Sequence, residues 1–353
     1  MPTVHQPTAL RQETTAAQRV IASRGATRRP GTVPGWFLLA ALLLAAAAGV
    51  SLFVGVADVS PSGLLDPATR PATWDLLVAS RGPRTVALVL AGGGLAVCGV
   101  IMQLLTRNPF VEPATAGTME AAGLGILLMT IAQPHAPVVA RMLAGAVCAV
   151  LGTGLFLAVL SRLALRDLAM VPVVGLVLGG VLSAVATFVA YRTDLLQSLG
   201  AWMTADFSAV IEGRYELLWL AAVLVGLGLL VADRFTVAGL GEEVATSLGL
   251  DHRAAMALGL GIVALTSAVV VVTVGALPFV GLVVPNLVAT LVGGNARRTI
   301  PLCAVCGALL VVVCDLLART LRAPYELPVG LIIGVLGGVA FLVILLRRTD
   351  RVA

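Results

Sequence analysis

Apolar residues run in long blocks along this chain, separated by short polar breaks. The first block, 36–56, has about the 20 residues that an α-helix needs to cross a hydrocarbon core about 30 Å thick. Others follow at 84–105, 117–132, 138–163, 171–191, 215–232, 254–274, 276–293, 300–320 and 328–346. The pattern predicts an all-α polytopic membrane protein with about ten transmembrane helices. A cleavable signal peptide would have a shorter apolar core and a small-residue cleavage site, so the first block reads as a true span. Before it, residues 1–33 are polar, rich in Thr, Ala and Arg, and without apolar periodicity; they read as a flexible cytoplasmic tail. The remainder, 34–349, reads as one membrane domain. Gly275, Pro278, Gly281 and Pro285 break the pattern within 275–285. Irregular backbone at that depth is tolerated only when it is buried in protein or lines a cavity.

Composition agrees. The 353 residues are 59% hydrophobic and 12% charged, whereas a soluble domain is about 45–50% apolar and about 25% charged. The net charge of +5 is no nucleic-acid signal, because no basic run is interleaved with aromatics. All 23 basic residues are arginine. A phosphate-binding P-loop needs a lysine, so this chain cannot form one, and any ATP-driven role requires an ATPase on another polypeptide. With the N-terminal tail inside and ten spans, fifteen of the 23 arginines fall on the cytoplasmic side. Both termini are then cytoplasmic and the protein is expected in the inner (cytoplasmic) membrane. Cys98, Cys148, Cys303, Cys306 and Cys314 lie in apolar stretches and read as small fillers of helices. His5, His135 and His252 are far apart and suggest no metal site; nothing points to a cofactor.

Two polar clusters stand out. Arg81 and Arg84 mark the mouth of the second span, and Arg319 and Arg322 close the ninth. They read either as snorkelling anchors at the interface or as a basic outer rim that docks an acidic partner. The inside segment 238–250 contains Glu242, Ala245, Leu248 and Leu250 at spacings that suit a short amphipathic helix. It would open after Gly241, with Glu242 and Glu243 in the first turn where the helix dipole favours them, and end near Gly249. Such a helix is either a linker or a surface on which another protein pushes.

Together these pieces resemble the FecCD (BtuC-like) family of ABC-importer permeases, from about residue 35 to 348. The resemblance rests on Arg81-Gly-Pro-Arg84 with Ala91-Gly-Gly-Gly94 and Gln103, on Arg107-Asn-Pro-Phe-Val-Glu-Pro113 with Gly117, and on Leu240-Gly-Glu-Glu-Val-Ala245 with Leu248-Gly249. It continues through Phe279-Val-Gly-Leu-Val-Val-Pro285, Asp315 with Arg319, and Glu326-Leu-Pro-Val-Gly330. It implies a BtuC-like fold that works as a dimer of ten-helix subunits. It assigns Arg81, Arg84 and Arg319 to docking of an extracytoplasmic substrate-binding protein. It makes Glu242, Glu243, Ala245, Leu248 and Gly249 the coupling helix in the cleft of an ABC ATPase, and Asn108 and Phe110 part of a cytoplasmic gate. Much of the family has Pro-His where this chain has Pro285-Asn286. The Pro-Asn form, with Thr115-Ala-Gly-Thr118 and Asp206-Phe-Ser208, resembles a branch associated with catecholate-type siderophores. That implies Fe(III)–siderophore cargo and favours a second, different permease subunit, with a homodimer as the alternative.

Haem or a corrinoid carried by the same fold is the alternative. An ion-coupled secondary transporter would place ionisable residues near the bilayer midplane. Here Glu120 lies near the start of the third span, and Asp315 with Arg319 forms an i,i+4 pair near the outer end of the ninth. An intramembrane enzyme would need clustered ligands or a nucleophile–base pair, and the sequence offers neither, so the chain is read as a non-catalytic transport subunit.

Overall fold

The computed structural model describes residues 33–55, 61–162, 170–213, 215–293 and 295–349. All but the last residue of the expected tail lies outside them. The apolar blocks fold as ten helices: α1 Val33–Phe53, α2 Gly82–Leu105, α3 Thr118–Ala132, α4 Val138–Arg162, α5 Met170–Arg192, α6 Leu218–Leu230, α7 His252–Val274, α8 Val280–Val292, α9 Ala296–Thr320 and α10 Val329–Thr349. Among the described residues, seven helices are long and apolar enough to cross a membrane. An eighth counts if α6 and Ala232–Ala238, bent by 63°, form one span. The two that fall short of the expected ten are α3 and α8, of 15 and 13 residues. At about 1.5 Å per residue each covers only about 20 Å. Both start inside the protein, α3 after Gly117 and α8 after Phe279, each in a left-handed conformation.

The chain around α2 forms the centre. It is helical from Arg70 to Leu105, 36 residues, or about 54 Å, so it overreaches a bilayer core or tilts. A π-turn at Leu77–Arg81 leads into Pro83. Proline cannot donate to the carbonyl four residues back; the Ala79 carbonyl accepts instead from the Glu212 N–H at 3.1 Å. Small residues let α2 meet its neighbours backbone to backbone. A Cβ on Gly92 would stand 2.5 Å from the Gly307 carbonyl oxygen of α9, and one on Gly99 only 1.8 Å from that of Gly281 in α8. By contrast α1, α5 and α10 leave most of their apolar faces uncovered, as Leu42, Val177 and Val335 illustrate.

The broken stretch between α7 and α8 is buried in protein, as irregular backbone in a membrane requires. An extended segment after the short helix Leu196–Met203 runs beside it. The Ala276 N–H donates to the Met203 carbonyl at 3.3 Å, and the Asp206 N–H to that of Val274 at 3.0 Å. On its other side the Ala205 carbonyl accepts from the Gly330 N–H at the start of α10, at 3.0 Å. Phe207, fully buried, anchors the segment. These bonds supply partners that a broken helix cannot supply to itself.

Candidate functional site

Three groups of residues singled out in the sequence occupy two ends of the molecule. At the start of α2 and the end of α9, Arg81, Arg84 and Arg319 come together, as their expected common role requires. They do not form a solvent-facing rim: their exposures are 8%, 8% and 5%. Arg84 donates through Nη2 to Asp315 at 2.7 Å and through Nη1 to Glu326 at 2.6 Å. Arg319 pairs with the same Asp315 and donates to the Val54 carbonyl at 2.8 Å and the Ser51 hydroxyl at 2.5 Å. Arg81 donates to the Val54 carbonyl as well. Asp315, fully buried, is thus shared by two guanidiniums. Three cations and two carboxylates tie α1, α2 and α9 to the connection before α10. The Asp315–Arg319 pair is the i,i+4 pair expected from the sequence; its link to Arg84 is not legible there, because Asp315 and Glu326 lie 231 and 242 residues from Arg84.

At the other end of α2, residues 106–117 turn back against α8. Arg107 takes a positive φ of 51°. Asn108, nearly fully buried, accepts the Phe110 N–H on its side-chain oxygen at 2.9 Å, an Asx turn that aims Phe110 inward. The Phe110 ring packs edge-on against Phe341 of α10 with centroids 6.0 Å apart, and Phe279 stacks on Phe341 at 6.5 Å. Three rings from a loop, a helix start and α10 therefore meet. Glu112, to which no sequence motif assigns a role, accepts the Phe279 N–H at 3.1 Å, where α8 begins. Burial pushes its carboxyl up to about 7, against the pull of backbone N–H groups of Phe279, Leu282 and Gly281, which favour the charged form. Pro285 leaves the Gly281 carbonyl without its helical donor, and Gln103 fills the gap at 3.2 Å. Asn286 donates to the carbonyls of Pro109 and Leu282, each at 2.7 Å.

The segment after α6 contains the short helix Glu242–Ser247, which opens after Gly241 at φ 107° as the sequence predicts. The chain reverses at Gly249, φ 81°, with the Leu250 N–H bonded to the Ala245 carbonyl at 2.9 Å. Ala245 is fully buried and anchors the helix, while Glu242 and Glu243 are exposed. Leu240, Val244 and Leu248, each exposed, recur at four-residue spacing. Val244 lies in the helix and Leu248 at its C-cap, so these two share one face; Leu240 precedes Gly241 outside the helix, and the three exposed side chains leave an apolar stripe along the segment. Beneath it, Gly239 abuts the Leu104 carbonyl and Gly241 abuts the Arg107 guanidinium. A cavity of about 300 Å³ lies between this segment and α8, with Gln103, Arg107, Pro109 and Pro285 in its wall.

The three groups sit at helix ends and in the connections between helices. The chain is 43% identical over 307 residues to the petrobactin import system permease protein YclN of Bacillus subtilis (strain 168), covering 87% of this chain and 96% of that one. It is 44% identical to the ferric-anguibactin transport system permease protein FatD of Vibrio anguillarum, covering 84% and 94% of the two chains. Identity to the hemin transport system permease protein HmuU of Yersinia pestis is 32%, over 92% and 98%. A solved metal-chelate type ABC transporter in an inward-facing conformation shares the fold, with a TM-score of 0.77 at 24% identity over 89% of this chain and 99% of that one. The family described as the FecCD transport family matches residues 42–347. This multi-pass membrane chain, with a helical permease fold, belongs to the FecCD transport family.

Proposed function

We propose that this protein is the membrane-spanning subunit of an ATP-driven importer of Fe(III)–siderophore complexes. The cargo rests on one observation: 43–44% identity to permeases named for petrobactin and anguibactin, against 32% to one named for hemin. An ABC ATPase on a separate chain supplies the energy and an extracytoplasmic binding protein delivers the chelate. The Glu242–Ser247 helix and both termini face the cytoplasm, a reading that the arginine bias supports. The cargo is tested by deleting the gene and measuring which class of chelate is no longer taken up.

Transport proceeds by exchange between outward- and inward-facing states rather than by covalent chemistry. The ATPase engages Glu242, Glu243, Leu248 and Gly249, with Ala245 as the internal anchor. In support, Leu240, Val244 and Leu248 present an apolar stripe of the kind a partner covers. Asn108 and Phe110 close the inner end of the pathway, with the Phe110 contact to Phe341 as the closing contact. A second permease subunit, different from this one, packs on α5 and α10. Their uncovered faces carry Gly180 and Gly334, neither with a neighbour near its Cβ position.

The binding protein docks at the Arg81, Arg84 and Arg319 end. Because these arginines are buried and paired, an arriving carboxylate must exchange with one already present. Glu326, 24% exposed, is the candidate for exchange; Asp315 is fully buried. Reversing the charge of Arg84 would set a third carboxylate against Asp315 and Glu326, so it tests folding more than docking. Glu326→Gln keeps the arginines in place and removes the resident competitor. It is expected to tighten binding-protein affinity about three- to ten-fold at low ionic strength, with the gain shrinking as salt rises. Binding to the permease complex in nanodiscs reads this directly, and unchanged or weaker affinity would remove the exchange.

A further inference from the structure

The two aromatic rings that meet Phe341 belong to different parts of the chain. Phe110 is on the 106–117 loop and Phe279 is the residue from which α8 starts. Two side chains bridge these parts. The Glu112 carboxylate holds the Phe279 N–H at 3.1 Å, at the end of α8 where unpaired N–H groups and the helix dipole favour a negative charge. About two turns along α8 from Phe279, Asn286 donates to the Pro109 carbonyl of the loop at 2.7 Å while holding the Leu282 carbonyl of its own helix. The loop is itself braced where it leaves Glu112: Thr115 accepts the Glu112 N–H at 3.0 Å, and the Thr115 carbonyl lies so close to Gly175 of α5 that a Cβ there would stand 1.7 Å from it. At its other end Arg107 abuts Gly241 at the foot of the Glu242–Ser247 helix.

We propose that Glu112 and Asn286 are positioning residues that fasten the 106–117 loop to α8, so that Phe110 and Phe279 move against Phe341 as one jaw. The proposal rests on the reading of Asn108 and Phe110 as the inner gate and adds how that gate is held and driven. Movement begun at Gly241 reaches Arg107, and with it the loop. The two fasteners carry it across to α8. Without them Phe110 and Phe279 would part from Phe341 independently, and the pathway would leak or fail to open on cue.

The test uses the assembled importer in proteoliposomes, with radiolabelled ferric chelate uptake and ATP hydrolysis measured on the same samples. Asn286→Leu removes the donor to Pro109; it is expected to lower uptake per ATP hydrolysed about ten-fold, the scale of one lost buried hydrogen bond. Asn286→His, which returns an N–H donor, is expected to keep at least about half of the wild-type ratio, because donation at this position is what the fastener needs. Glu112→Gln keeps an acceptor for the Phe279 N–H without the charge and is expected to uncouple as well. The double variant Glu112→Gln with Asn286→Leu should be no worse than the poorer single variant, as for groups that act as one unit. Additive losses, or equal defects in Asn286→Leu and Asn286→His, would overturn the proposal. If Glu112→Gln does not accumulate in the membrane, the two Asn286 variants carry the test by themselves. Cross-linking the pair Phe110→Cys and Phe341→Cys separates the two claims: arrested uptake upholds the gate whatever the Asn286 variants do, and continued uptake removes the gate reading itself.

Discussion

Asp315→Ala is expected to deplete the folded protein more than any other single change at the arginine cluster. Asp315 is fully buried and accepts from Arg84 at 2.7 Å while pairing with Arg319. Taking away one partner of a buried ion pair leaves the other as an uncompensated charge and costs about 3–5 kcal/mol. Here one carboxylate serves two guanidiniums. Some compensation remains, because Glu326 still holds Arg84 at 2.6 Å and the Val54 carbonyl still accepts from Arg319 at 2.8 Å. Asp315→Asn keeps an acceptor of the same shape and is expected to fall between wild type and alanine. The exposed pair of Arg297 and Asp233, 3.2 Å apart, serves as the control. Its loss should change stability by no more than about 1 kcal/mol. Thermal unfolding in nanodiscs and the amount of protein inserted in the membrane read both. An Asp315→Ala protein as stable as the Arg297→Ala control would show that the cluster does not hold α2 to α9.

The second large effect is expected at the opposite end, with stability left intact. Leu248 is 64% exposed, so replacing it with glutamate removes little internal packing. If an ATPase covers the stripe of Leu240, Val244 and Leu248, the same change places a charge in an apolar contact. Burying a leucine side chain is worth about 1.5–3 kcal/mol, or roughly ten- to a hundred-fold in affinity. Leu248→Glu should therefore lose at least about ten-fold in ATP-driven uptake and in copurification with the ATPase, with unchanged thermal stability. Glu242→Lys is expected to act in the same direction, since Glu242 is also exposed beside the stripe. Full uptake in Leu248→Glu would return this helix to the status of a linker.

Much of this architecture is legible in the order of residues, and the illegible parts share one cause. Each of the ten apolar blocks became a helix, because burial of apolar side chains in lipid needs only local runs of the right length. The short helix after Gly241 was also readable, since its glycine turns, its acidic first turn and the spacing of Glu242, Ala245 and Leu248 are local signals. The broken stretch at 275–285 was readable as a break but not as to what repairs it. Its partners are the Met203–Asp206 segment and Gln103, far off in sequence. The Asp315–Arg319 pair is local and legible, but burial of Arg84 depends on acids more than 200 residues away, which hydropathy does not register. Glu112 carried one usable signal: an acidic residue before a proline in a polar connection between two spans, where it can cap a helix other than its own.

Carriage of ferric siderophores across the membrane by this chain is read out by uptake of radiolabelled Fe(III) chelates in cells. Cells with and without the gene are grown under iron limitation and offered hydroxamate, catecholate and mixed chelates. Deletion is expected to abolish uptake of one siderophore class, restored by the intact gene and not by the Leu248→Glu variant. Unchanged uptake of every chelate would contradict ferric-siderophore carriage, and would move the cargo of this permease to haem or a corrinoid.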